Sequence, residues 1–155
     1  MITLHKPELK DLEYRQLLLA DKDTMLYNQK WGGTIDFPKE NWEAWYKRWV
    51  SSDDSERYYR YLYSEDTQSF VGEVSYHYDT QYQAYIVSII VEAKYRGAGY
   101  GKEGLLLLIE AAKANGIAKL NDDIAIDNPS VSLFLNVGFT EAWRNEDCIM
   151  VELVL

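Results

Sequence analysis

Residues 84–104 read AYIVSIIVEAKYRGAGYGKEG and run directly into LLLLIEAAKAN. A β-branched apolar run of this kind is a buried strand, and the Leu- and Ala-rich run behind it is a helix. Gly97, Gly99 and Gly101 punctuate the junction between them. A helix start exposes N–H groups that have no intrahelical acceptor, together with a partial positive charge, and glycine lets a bound anion approach the backbone closely. This junction therefore constrains the chain twice. It demands a layered strand-and-helix fold, and it makes a phosphate site at the helix start.

The flanking segments limit which layered fold that is. A short strand is expected at 2–5, an amphipathic helix over 10–20, and a second helix after Pro38 with Trp42, Trp45, Tyr46 and Trp49 on one face. Three Tyr-, Val- and Ile-rich runs at 57–64, 69–78 and 83–91 follow with no helix between them, the pattern of an antiparallel meander. Beyond the glycine junction and Gly116 the expected elements are a strand over 122–126, a helix over 129–136 and a hairpin of 139–144 with 148–155. The fold class is α+β: a mixed, mostly antiparallel sheet with helices on both faces. At 155 residues, with no linker or repeat, residues 1–155 are expected to form one domain.

Net charge opposes an anionic ligand, because the chain carries 25 acidic against 16 basic residues, a net −9. That field disfavours nucleic acid as a partner. From Lys94 to Lys119, however, five basic residues face two acidic ones, so this stretch is +3 and the remainder −12. Lys94, Arg96 and Lys102 lie nearest the glycine loop, where phosphate would be held. A single Cys148, with only His5 and His77, allows neither an internal disulfide nor a Cys/His metal cluster, and a cytoplasmic protein without metal is expected. No secretory leader and no 18-residue apolar run is visible, so no membrane partner is expected.

Three kinds of anion loop compete for residues 96–104. A Walker-type loop fails, because Gly101-Lys102 is followed by Glu103 and position 96 is Arg. The dinucleotide fingerprint matches at Gly99, Gly101 and Gly104, with Asp123 or Asp127 about 20 residues on, but an antiparallel meander precedes it and the strand does not turn tightly into it. The third reading is the strongest. Arg96-Gly97-Ala98-Gly99-Tyr100-Gly101 resembles the Arg/Gln-x-x-Gly-x-Gly/Ala loop of the GCN5-related N-acetyltransferases, and DNPSVSLFLNVGF resembles that family's later Asn-x-x-Ser, helix and Gly-Phe ending. The likeness covers roughly residues 70–140, and the order of elements is similar throughout.

The resemblance implies an N-acetyltransferase that moves acetyl from acetyl-CoA to a primary amine by direct attack in a ternary complex. It assigns the pyrophosphate to Arg96, Gly97, Ala98, Gly99, Tyr100, Gly101 and Lys102, and the pantetheine arm and thioester carbonyl to the backbone of Ile89, Ile90 and Val91. Asn128 is implied at the cofactor's amide chain, although a helix N-cap would also explain it. A free alkylamine has a pKa near 10.4, so a base is needed. Glu73 and Asp123, acids on apolar strands, are its candidates. Tyr85 stands about where histone-type members carry a glutamate, and Phe134 stands where many members carry a proton-donating tyrosine. Tyr100, Tyr85 or water must then serve the leaving thiolate. Trp31 and Gly32, outside the tryptophan stripe, are candidates for the acceptor pocket. The acidic remainder favours a cationic small-molecule or protein amine, and a homodimer is compatible with the fold. A non-catalytic acyl-CoA-binding module and, more remotely, an NAD-binding oxidoreductase are the alternatives.

Overall fold

Strand formation follows the alternation of large side chains. In 57–64, Tyr58 and Leu62 point to one side while Tyr59 and Tyr61 point to the other, and all four are buried. A strand buried on both faces requires cover on both, and the helices supply it. The computed structural model describes residues 1–155 apart from the side chains of Lys30 and Trp31. Its strands are β1 (Ile2–His5), β2 (Arg57–Ser64), β3 (Ser69–Asp79), β4 (Ala84–Val91), β5 (Lys119–Ala125), β6 (Thr140–Arg144) and β7 (Cys148–Val154). Its helices are α1 (Leu12–Ala20), α2 (Trp42–Trp49), α3 (Tyr100–Ala114) and α4 (Ser130–Asn136).

All seven strands form one sheet in the order β1-β2-β3-β4-β5-β7-β6. Neighbours are antiparallel except β4 and β5. On one face α3 and α4 cover a core of Leu62, Val74, Val87, Leu105, Leu108, Leu120 and Phe134. On the other, α1 and α2 cover Ile90, Tyr59 and Tyr61 with Leu12, Leu18, Leu19 and Trp42.

The parallel pair decides where the site lies. β4 and β5 are joined only at Tyr85–Leu120 and Ile86–Asn121, after which they part, leaving Ile89, Ile90 and Val91 with no strand on that side. Across the other edge of β4, Gly72 of β3 lies so close that a Cβ there would fall 2.2 Å from the Ile90 carbonyl oxygen. Only glycine lets β3 hold the end of β4 this tightly. Two local features differ from expectation. β5 begins at Lys119 rather than 122, because Leu120 and Asn121 are buried and paired despite the polar sequence. Residues Thr24–Trp31, which carry no helical periodicity, form a 3-10 segment closed by Gly32 at φ +106°.

Candidate active site

The gap between β4 and β5 opens beside the glycine loop into a cleft of about 410 Å³. Its walls are Ile89, Ile90 and Val91 of β4, Tyr95 to Gly97, Gly99 to Lys102, Asn128 to Ser130 and Leu133 of α4, and Tyr27 from the 3-10 segment. Of the residues assigned from sequence to the cofactor, only Ala98 is not on these walls.

Each feature of the loop has a physical origin. Gly99 is the N-cap of α3 at φ +85°, a left-handed conformation that costs an L-residue about 1–2 kcal/mol. The Glu103 N–H to Gly99 carbonyl bond, 3.1 Å, starts the helical ladder, so the amides of the first turn face outward at the cleft. A Cβ on Gly97 or Gly99 would meet nothing within 4 Å, so the loop borders open space. Lys102 is exposed, and among the described residues no carboxylate pairs with it, whereas Lys94 is drawn to Glu92 at 3.5 Å. Apolar walls for a thioester arm, outward amides and a free cation for phosphates fit acetyl-CoA.

Arg96 lines the cleft and also has a structural role beyond its motif. Its Nε donates to the Val91 carbonyl at 3.1 Å, and its Nη atoms donate to the carbonyls of Thr24 at 2.9 Å and Asp23 at 3.5 Å. The Ala93 N–H adds a bond to Thr24 Oγ1 at 2.9 Å. Together these tie the 3-10 segment to the end of β4 and set Tyr27 over the cleft. Asn128 Oδ1 accepts the Ser130 N–H at 2.9 Å, the capping role, while the residue still lines the cleft.

The catalytic candidates are not gathered at one point. Glu73 is 4% exposed and lies on β3 opposite Ile90, on the α1 face. Both its oxygens accept from Arg15 Nη1, at 2.5 and 2.6 Å, so it is held as an ion pair. Arg15 is itself seated against Trp45, Phe37 and Tyr59, its guanidinium carbon 4.4, 5.3 and 5.6 Å from their centroids. Desolvation pulls its pKa down, but Glu73 and Tyr59 outweigh that and raise it. Asp123 is exposed and accepts from the Tyr82 hydroxyl at 3.1 Å. Because Ile86 pairs with Asn121, Asp123 stands across the gap from exposed Ser88 on the α1 face. Tyr85 lies where the strands are still joined, its hydroxyl donating to the Ser55 carbonyl at 2.7 Å, outside the cleft. Gly32 is exposed at the end of the 3-10 segment and does not line the cleft. The side chain of Trp31 lies outside the described residues.

The tryptophan stripe is accounted for by packing. Trp42 is 7% exposed and donates to the Phe37 carbonyl, Trp45 holds Arg15, and Trp49 stacks on Trp45 and takes Arg57 at 4.9 Å. Trp45 and Trp49 thus already hold cations of the chain itself. Arg15, Tyr27 and Asp122 are participants that sequence reasoning passed over. Arg15 was signalled by its place in line with Leu12 and Leu19 at i, i+3, i+7 spacing, a charge within an apolar stripe. Asp122 is half-buried on the α3 face of β5, between Leu120 and Ile124. Burial, and then the neighbouring Asp123, raise its carboxyl well above the usual range.

The sequence matches the family model "Acetyltransferase (GNAT) family" over residues 19–139. The chain therefore belongs to the GNAT acetyltransferases. It is an acetyl-CoA-dependent N-acetyltransferase, the class its fold and cleft define. Solved structures agree in fold. An acetyltransferase of the GNAT family from Streptococcus pneumoniae superposes with a TM-score of 0.79 at 20% identity, covering 100% of both chains. Spermidine N-acetyltransferase from Vibrio cholerae, in complex with CoA and spermine, gives 0.78 at 18% identity, covering 99% of this chain and 95% of its own. A Salmonella typhimurium protein solved with its cofactor acetyl-CoA gives 0.75 at 20% identity, covering 100% and 94%. No curated protein matches the sequence. Among the described residues, no helix is long and apolar enough to cross a membrane, and no group of three His, Cys, Asp or Glu is placed to hold a metal ion.

Proposed function

We propose that the chain, acting as one domain, transfers acetyl directly from acetyl-CoA to a primary amine that enters from the α1 face. The observation that carries this reading is the two-pair junction of β4 and β5, which opens one gap to both faces of the sheet beside the glycine loop. In this reading acetyl-CoA lies on the α3 side, its phosphates on the first turn of α3 with Lys102 and its arm along Ile89 to Val91. A β4 amide next to the gap receives the thioester oxygen as negative charge develops there. Asn128 contributes its amide nitrogen to the arm.

Asp123 is the base of this reading, acting on the amine directly or through one water. It is the carboxylate on the acceptor side of the gap that solvent reaches. Glu73 keeps Arg15 in place as its ion-pair partner. Tyr85 supports the joined end of the strands. The acceptor is cationic before deprotonation, in keeping with the −12 carried outside residues 94–119. A polyamine is one such acceptor and a protein N-terminus another.

Thiol release from acetyl-CoA, measured against an amine panel that includes spermine, spermidine, aminoglycosides and peptide N-termini, tests donor, turnover and acceptor together. The expected result is free thiol with at least one cationic amine, and stabilisation by acetyl-CoA of about 2.7 kcal/mol at a hundredfold excess over Kd. Stabilisation without thiol would reduce the chain to an acyl-CoA-binding module. Stabilisation by NAD in place of acetyl-CoA would overturn the reading.

A further inference from the structure

When the amine has attacked and the C–S bond breaks, the departing sulfur carries negative charge and needs a proton. α4 offers no phenol, because Phe134 is 1% exposed and packs on Phe139. Three tyrosines line the cleft, namely Tyr27, Tyr95 and Tyr100. The Tyr95 hydroxyl is engaged with Ser69 Oγ at 3.2 Å, and the Tyr100 hydroxyl accepts from Ser64 Oγ at 3.3 Å, both toward the β2–β3 end. Tyr85 is spent on the Ser55 carbonyl. Among the described residues, the Tyr27 hydroxyl has no hydrogen-bond partner.

Its placement is not accidental. Residues 24–31 lie outside the sheet and the α-helices, and Arg96 and Ala93 bind Thr24 and Asp23 to the end of β4. Tyr27 follows three residues on and lines the cleft. Tyr27 is 42% exposed as a whole, and its place in the cleft wall desolvates the phenol in part. That desolvation, reinforced by Glu73 and Asp122 against Arg15 and Arg96, pushes the phenol up to about 12, so it remains neutral at working pH. A neutral phenol both donates and accepts.

We infer that Tyr27 is the catalytic proton relay of the transfer, its hydroxyl serving the leaving sulfur in place of a group on α4. The inference rests on the acetyl-transfer reading. The amine nitrogen bonds to the thioester carbon and becomes positively charged. The C–S electron pair goes to sulfur, Tyr27 Oη gives its proton to that sulfur, and Oη takes up the proton that the nitrogen sheds. Amide and free thiol result, and Tyr27 ends as it began.

The test is Tyr27→Phe, which removes one oxygen and keeps the ring, with Tyr27→Leu as a second variant. With the best acceptor of the amine panel, kcat should fall about 100-fold in both variants, the lower range for loss of a positioned proton donor. Calorimetric affinity for acetyl-CoA and melting temperature should stay at the parent values in Tyr27→Phe. Unchanged kcat in Tyr27→Phe overturns the inference. So does a kcat loss confined to Tyr27→Leu, or one accompanied by loss of acetyl-CoA binding, since either assigns the residue to packing. Absence of turnover in the parent chain would strike the acetyl-transfer reading itself, which keeps the two failures apart.

Discussion

On the α3 side of the sheet the cleft is made of main chain: the amides of a helix start, the unpaired end of β4, and glycines whose missing side chains leave room. On the α1 side the same strand is faced by side chains brought from far apart. Arg15 of α1, Glu73 of β3 and Trp45 of α2 meet although 58 residues separate the ion pair. The first kind of site is rigid because secondary structure makes it so. The second is rigid only while a buried charge stays paired, and that difference predicts how each fails.

Arg15→Ala should produce the largest effect on the molecule. It leaves Glu73, with 6% of its side chain exposed, as an unpaired carboxylate against Tyr59 and Ile90. Breaking one partner of a buried pair costs about 3–5 kcal/mol, read as a fall in the urea midpoint at constant slope. Adding Glu73→Gln to Arg15→Ala should recover part of the loss, because the uncompensated charge is gone. If Arg15→Ala costs no more than an ordinary surface substitution, about 0.5 kcal/mol, the acceptor side does not depend on this pair.

Gly99→Ala probes the other side and should be milder. An L-residue at φ +85° costs about 1–2 kcal/mol, which for a chain of this length lowers the melting temperature by roughly 2–8 °C. The loop can relieve that strain by moving, and it would then carry its amides away from the phosphates. Weaker acetyl-CoA binding with modest loss of stability is the expected pair of results. The comparison breaks if stability falls while acetyl-CoA affinity is untouched.

The same contrast explains what the sequence made legible. A backbone site announces itself locally, since Gly97, Gly99 and Gly101 between an apolar strand and a Leu-rich helix leave few other readings. β2 was legible to the residue because its side chains alternate between two buried faces. The Arg15–Glu73 pair could not be read, because nothing local connects position 15 to position 73. Arg96 carries a second role that its motif does not announce. Its place in the loop points to phosphate, while its three hydrogen bonds go to carbonyls of Val91, Thr24 and Asp23, the last two at the start of a 3-10 segment with no periodic signature. Tyr27 was hidden for the same reason.

Asp122 supplies the smallest and most specific test, because among the described residues its carboxyl has no ion-pair partner on either side of the gap. It sits between Leu120 and Ile124 on the α3 face, with burial and then Asp123 raising its pKa and the Asp123 backbone N–H offsetting only part. A carboxyl whose native pKa lies above its unfolded value binds its proton more tightly when folded. Its contribution to stability is therefore complete below the unfolded pKa of about 3.8 and is lost as pH rises through the native value. Asp122→Asn has no proton to lose. The variant should match the parent in acid and melt progressively higher than the parent as pH rises through that window, then hold a constant advantage. Thermal melts across pH 3.5 to 8.5 read the difference directly. An advantage independent of pH would mean that the asparagine packs better and that the carboxylate is not strained. An advantage that grows with pH and vanishes when acetyl-CoA is bound would place the Asp122 charge in contact with the occupied gap, joining the two sides of the site.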